Sequence, residues 1–418
     1  MPSVFRIIPT AQKYDWGKRG SKSKVAQLAV ASKLPDFRLD ENVPYAELWM
    51  GTHVSSPSKV ATTGELLSDY LKKNQEDVGE RIVNRFRASD GVLPFLFKVL
   101  SIEKALSIQT HPDKATAEKL HAEQPHIYKD GNHKPEMAIA LTPFSALCGF
   151  LPVDRIVSHL ETVPEFAGLI PDNVRKTFIA SASSHVASSR ETKKSLKELF
   201  TSLVTSGESR FVPALEALVE RYKRGQASEV EKLLADLITR LHHQFPGDIG
   251  VFCPFVLNYV ELEKGEAIFL GAGEPHAYVS GDIMECMATS DNVIRAGLTP
   301  KLRDVPNLVS SLTYEAADAS KHRVKGAPFE SCPHTWLFDP PIPEFSVLHT
   351  KLDTGVEEVH RELKGPSITI VTGGSCNIEW SGGSLEAMAG EVFFVAIETE
   401  LKIVGYEQNT EVFRAFVE

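Results

Sequence analysis

The stretch SIQTHPDK, residues 107 to 114, sets a glutamine and a histidine two residues apart and then stops at proline. In a β-strand successive side chains alternate faces, so Gln109 and His111 share one face while Ile108 and Thr110 take the other. Burying both polar groups without a partner would cost roughly a few kcal/mol, so the face is either wet or occupied by something that needs nitrogen and oxygen donors. In HKPEMAIAL the same alternation puts Lys134 and Glu136 together, opposite Pro135, Met137 and Ile139. His276, in GAGEPHAYVSG, enters a strand on the face of Tyr278. Two imidazole nitrogens, a carboxylate oxygen and an amide oxygen would suit zinc. Spacing alone does not bring them together. A single strand histidine is more often a hydrogen-bonded structural residue, and among 14 histidines His53, His121, His126 and His133 have equal claims by composition.

A second cluster, EPHAYVSGDIMECMATSDNVIRAGLTPK at 274 to 301, carries Glu285, Asp291, Arg295 and Lys301 beside His276. Such charges commonly sit on exposed strand faces and loops. The alternative is an anion and proton-transfer site, in which Arg and Lys hold a phosphate and a carboxylate moves protons.

These residues need strands to carry them. LPFLFKVLSIEKALSIQTHP (93 to 112) reads as two β-rich runs divided around Glu103 and Lys104, as in a hairpin. Short strands follow at 134 to 150 and from 251 to 298, where HAYVSG and DIMECMA read as separate pieces, and their even spacing suggests a barrel or sandwich. Between them the apolar period becomes helical, as in Leu233, Leu237 and Leu241, which predicts a helical insertion of roughly 95 residues. An earlier helical stretch, 64 to 86, would cover one side of the first β block. The tail, from SVLHTKL to TEVFRAFVE, is β-rich again and looks like a second small barrel.

The chain has 418 residues, 42% hydrophobic and 24% charged, enough for two or three sizeable cores. A formal charge of −10 argues against a nucleic-acid or acidic-membrane surface, though a local cluster of cations could still hold a small phosphate. No apolar run is long enough to cross a bilayer and the N-terminus lacks a signal-peptide core, so a cytoplasmic protein is expected. The five cysteines form no CxxC pair and read as reduced, mostly buried thiols.

The motifs LPFLFKVLS, LSIQTHPDK, NHKPEMAIALTPFSALCGF and GEAIFLGAGEPHAYVSGDIMECMATSDNVIRAGLTPK, with YDWG and ELWMGTH before them, closely resemble the type I mannose-6-phosphate isomerases, zinc enzymes of the cupin superfamily. The resemblance runs through nearly all of residues 1–315 outside the helical stretch; after about residue 320 it holds only in general character. It implies a mainly β fold with an α insertion: two cupin-type β-barrels (jelly rolls) plus a helical domain. Residues 1–150 and 246–320 would form a discontinuous catalytic barrel, 151–245 the helical insertion and 321–418 a C-terminal cupin-like barrel. It also implies one Zn2+ per chain on Gln109, His111, Glu136 and His276. Arg295, Glu285 and Lys301 would be catalytic, and Lys134, Tyr278, Asp291, Ser107, Lys98 and Trp16 would line the substrate pocket.

The implied reaction interconverts mannose 6-phosphate and fructose 6-phosphate through a cis-enediol, in a partly closed pocket that keeps the enediol from losing phosphate. Glu285 is the expected proton shuttle, and the physiological role would be to supply mannose for GDP-mannose and glycan synthesis. A small sugar phosphate is the expected partner, with no nucleic acid or membrane, and the chain is expected to be a monomer. An iron-dependent dioxygenase would show a similar pair of histidines with a carboxylate, and a non-catalytic sugar-binding protein could retain the barrel. The lysines and arginine beside the site favour the anionic sugar.

Overall fold

The alternating segments assemble into sheets of eleven, eight and four strands, while the helical segments gather between Val153 and Gln244. A computed structural model describes residues 2–418 apart from 185 and 187. None of the sheets closes on itself. The fold is therefore mainly β with a helical region.

The eleven-stranded sheet is organised around one long strand, His276–Ala288. From Gly281 to Ala288 it pairs with Phe95–Ile102 on one side, and from Ile283 to Met287 with Glu136–Ala140 on the other. From His276 to Ser280 it pairs instead with Phe144–Phe150 and meets Gln109 of Ile108–Thr110. The two predicted pieces HAYVSG and DIMECMA are thus one strand. Gly281 lies at φ 115° against the Pro143 carbonyl and Phe144, where a Cβ would meet the carbonyl oxygen at 2.6 Å. Glycine here bends the strand rather than ending it.

The predicted hairpin across Glu103 and Lys104 does not form, because neither of its two runs pairs with the other. Both backbone N–H groups of the supposed turn donate to the Trp16 carbonyl, so the chain leaves Phe95–Ile102 and returns as a separate strand between His276 and Ile294–Gly297. Alternation does hold within each strand. Phe95, Phe97 and Val99, with Met137, Ile139, Met284 and Cys286, pack in the core toward the tail. Leu100, Ile102, Ala138, Ala140, Tyr278 and Ile283 face the opposite interior. Lys98, Glu285 and Glu136 share that second face by period and are all buried.

The helices cover the outer face of the second arm: Leu196, Phe200, Leu218 and Leu241 pack with Ile108, Leu147, Val279 and Ile294. The early helical stretch resolves into Leu67–Lys73 and Glu80–Phe86, and its Leu67, Tyr70 and Ile82 join the core between the first block and the tail. The tail forms the eight- and four-stranded sheets. Two strands cross between the blocks: Val4–Ile8 pairs with Val392–Val395 of the tail, and Arg323–Val324 pairs with Ala267–Leu270 of the first block. All five cysteines are buried and unpaired.

Candidate active site and metal centre

The bend at Gly281 carries the first residues of the long strand over the Glu136 strand, and three expected ligands meet there. His111 Nε2 lies 3.3 Å from Glu136 Oε1, and His276 Nε2 lies 3.5 Å from Glu136 Oε2. Among the described residues these three form a group whose ligand atoms all fall within 4.8 Å of one another. All three are buried. Each imidazole is fixed from behind: His111 Nδ1 is 2.7 Å from the Asn292 carbonyl and His276 Nδ1 is 3.0 Å from the Glu274 carbonyl. A carbonyl can only accept, so each Nδ1 carries the proton and each Nε2 presents a lone pair. Neither Nε2 has a hydrogen-bond partner. Two aimed lone pairs and an ionised carboxylate can hold a metal ion.

The electrostatics suit that arrangement. Burial, reinforced by Lys134, pushes His111 down to about 4. Burial alone would raise the Glu136 carboxyl, but Lys134 and the two imidazoles outweigh it and hold it well below the usual range. Lys134 Nζ is 3.0 Å from Glu136 Oε1, and the Tyr278 hydroxyl donates to Glu136 Oε2 at 3.2 Å. Burial, then the Glu136 and Glu285 charges, raises the Tyr278 phenol well above its ordinary value.

In front of this cluster lies a cavity of about 450 Å³. Trp16, Lys98, Ser107, Gln109, Lys134, Asp291, Arg295 and Lys301 line it, while His111, Glu136, His276, Tyr278 and Glu285 are buried next to these lining residues. Gln109 stands at the boundary, paired through the backbone with both His276 and Arg295, and its side-chain oxygen is 3.4 Å from the Ser107 hydroxyl. Arg295 and Lys301 make no side-chain hydrogen bond or ion pair among the described residues, and burial alone lowers the Arg295 pKa. Two cations without acidic partners in the wall of a cavity favour an anionic guest.

Comparison with known proteins decides the family. Residues 4–153 match phosphomannose isomerase type I, catalytic domain; 169–257 match its helical insertion domain; 336–383 match its C-terminal region. The chain belongs to the type I phosphomannose isomerase family. A mannose-6-phosphate isomerase from Cryptococcus neoformans var. neoformans serotype D is 48% identical over 434 residues, covering 100% of this chain and 99% of that protein. One from Saccharomyces cerevisiae is 44% identical over 425 residues, covering 99% of each. A crystal structure of mannose 6-phosphate isomerase in a holo, zinc-bound form superposes with a TM-score of 0.81 at 32% identity, covering 100% of both chains. The likeness thus extends through the tail, where the sequence motifs show only general character.

Within this family framework the structure adds Glu47 and Trp49, which sequence reasoning passed over, and His53, which it named only as one of several equivalent histidines; all three line the cavity. Lys98 Nζ lies 4.8 Å over the Trp49 ring, 3.4 Å from Glu47 and 3.1 Å from Glu285. Burial opposes the Lys98 charge, but Glu285, Glu47 and Glu136 outweigh it and raise its pKa. Burial also raises the Glu285 carboxyl, against the pull of Lys98. His53 Nε2 is 3.4 Å from Asp291, while its Nδ1 accepts the Ser55 N–H at 3.2 Å. All three added residues stand in ELWMGTH, where alternation already sets Glu47 and Trp49 on one face.

Proposed function

We propose that this protein interconverts mannose 6-phosphate and fructose 6-phosphate through a cis-enediol, with one Zn2+ held by His111, Glu136, His276 and Gln109. The observation that carries this is the pair of unpartnered Nε2 atoms facing one buried carboxylate, beside a cavity lined by two unpaired cations. The mannose-6-phosphate isomerases this chain is similar to, and the zinc-bound structure among them, support both the reaction and the metal. Bound there, the metal would supply a Lewis acid for the sugar's C1 or C2 oxygen, with a neutral amide ligand leaving net positive charge.

The chain's own groups divide the remaining work. Arg295 and Lys301 hold the phosphate. Lys134, on the cavity wall and paired to Glu136, is placed to protonate the ring oxygen during opening. For proton transfer between C2 and C1 we take Asp291 over Glu285, because Asp291 lines the cavity whereas Glu285 is buried against Lys98. Glu285 then serves to hold Lys98 charged, and Tyr278 to orient the Glu136 carboxylate. Trp16 and Ser107 shape the entrance. In this reading the eleven-stranded sheet and the two tail sheets are two cupin-type barrels, divided near residues 151, 246 and 321. The protein acts as a cytoplasmic monomer that supplies mannose for GDP-mannose and glycan synthesis.

The test is conversion of mannose 6-phosphate to fructose 6-phosphate by the purified chain, before chelation, after it, and after zinc is restored. Activity that vanishes and returns supports reaction and metal together; no conversion by folded, zinc-loaded protein ends the isomerase reading. Solvent-deuterium exchange at C2 in Asp291→Asn and Glu285→Gln separates the two carboxylates. Loss in Asp291→Asn with exchange retained in Glu285→Gln supports the assignment, and the reverse pattern returns the proton shuttle to Glu285.

A further inference from the structure

The two tail sheets face each other across an interior that should be wholly apolar, and much of it is: Leu348, Leu363 and Phe416, then Val371, Ile378 and Phe393. One charged side chain projects into it. Arg414 is 1% exposed, on the strand Thr410–Phe416, with its Nε donating to Ser367 Oγ at 2.8 Å and its Nη1 without a partner. The carboxylate that acts on it, Glu418, is already engaged by Arg361 at 2.8 Å and by the Lys364 backbone N–H at 2.8 Å. A guanidinium cannot shed its charge as a buried lysine can, so burial without a counter-charge is expensive.

Other buried polar groups of this interior also lack partners. Thr369, directly opposite Arg414 in the neighbouring strand and therefore on the same face, is fully buried with its hydroxyl unpartnered. Across the interior, His360 Nε2 lies 3.1 Å from the Thr335 hydroxyl and 3.3 Å from the Thr350 hydroxyl. Thr335 can donate its one proton to Glu358 at 3.1 Å, and the Thr350 hydroxyl lies 3.0 Å from Thr335 as well as 3.3 Å from His360 Nε2, so these contacts fit either imidazole tautomer. The other ring nitrogen, Nδ1, has no partner. Glu358, a buried carboxylate of this interior, is satisfied by Thr335 and by the His334 backbone N–H at 2.9 Å. Burial, added to the Arg414 charge, pushes the His360 imidazole down to about 3.

We propose that the interior of the tail binds a small monovalent inorganic anion, held by the Arg414 guanidinium with the Thr369 hydroxyl opposite it. Such an ion supplies a partner to these two buried groups and neutralises the Arg414 charge. It sits in the second β unit, apart from the metal cluster and the cavity, and is a structural ligand of the fold.

Thermal unfolding of the full chain in sodium bromide, sodium chloride and sodium gluconate at matched ionic strength tests this, together with crystals grown in bromide and measured at its absorption edge. The expected result is a saturable upward shift of Tm in both halides relative to gluconate, abolished in Arg414→Met, and an anomalous peak against the guanidinium. Equal Tm in the three salts, a halide response that survives Arg414→Met, or no bromide in the tail interior overturns the proposal. Should Arg414→Met fail to fold, the bromide map of the unaltered chain decides.

Discussion

The two β interiors of this chain are built from similar strands and filled with opposite chemistry. In the first, His111, Glu136 and His276 turn lone pairs and negative charge inward, and their N–H groups are spent on backbone carbonyls behind them. In the second, Arg414 turns a donor inward beside the unpartnered Thr369 hydroxyl, and the buried carboxylate Glu358 is already satisfied. What separates them is less the residue types than which atom of each residue is already taken. A carbonyl behind Nδ1 makes His111 an acceptor toward the first interior, whereas Ser367 takes only the Nε of Arg414 and leaves Nη1 as a donor toward the second.

The largest effect should come from removing the negative charge of the first interior. Glu136→Gln keeps the shape but takes away the ionised ligand and the partner of Lys134. Isomerase activity should fall on the order of 10³-fold or more, since Lewis-acid stabilisation supplies several kcal/mol. Zinc content by mass spectrometry should fall with it. Full zinc occupancy in this variant would show that the carboxylate does not define the site.

Next in size are the buried cations. Lys98 sits between Glu285 and Glu47, so Lys98→Met strands two buried carboxylates and should cost about 3–5 kcal/mol in urea unfolding. Adding Glu285→Gln should recover part of that. Arg414→Met in gluconate removes a buried cation that has no such acids and should cost much less. Equal losses would erase the distinction between a paired and an unpaired interior cation.

A smaller effect is expected behind the first interior. Asn292 offers its carbonyl to His111, while its amide holds the Asp130 and Asn132 carbonyls at 2.7 and 2.9 Å. Asn292→Ala frees that strap without touching the three ligating side chains. Zinc affinity in competitive chelator titrations should drop about 10- to 100-fold, with activity restored by excess zinc. Unchanged affinity would mean the imidazole is fixed without the strap.

The same distinction explains what the sequence made legible. Alternation is local, so it correctly put Lys134 with Glu136 and His276 with Tyr278. Pairing is not local: Gln109 faces His276 from 167 positions away in the chain, and no period records that. The hairpin expectation failed because Trp16, far upstream, captured the turn's N–H groups. A glycine read as a boundary proved to be a bend, because Gly281 needed close approach to Pro143 and not an end to the strand. The helical insertion was legible because its period repeats over many turns. Glu47 and Trp49 escaped notice, and His53 could not be told from the other histidines, because four or five residues are too few to separate a pocket wall from a core strand. The tail's Arg414 was hidden for the opposite reason, since TEVFRAFVE alternates cleanly and an arginine in such a strand normally points to water.

The smallest predicted effect is a slope. His360, held near 3 from its ordinary 6.5 by burial and by Arg414, stays neutral in the folded chain while its unfolded counterpart takes up a proton below pH 6.5. Between about pH 6.5 and 3 the unfolded state therefore binds more protons, so this residue's contribution to stability is whole above 6.5 and declines as pH falls toward 3. One such group adds at most about 1.4 kcal/mol per pH unit. His360→Phe should remove that increment from the dependence of unfolding free energy on pH, even if its absolute stability is lower for want of the threonine hydrogen bonds. If an anion sits beside Arg414, withdrawing it makes added positive charge at His360 more costly, and the increment should be larger in gluconate than in bromide. An anion beside the guanidinium would make a protonated His360 less costly and flatten the curve. Identical slopes in the two salts would place His360 outside the reach of any bound ion and detach it from the Arg414 cluster.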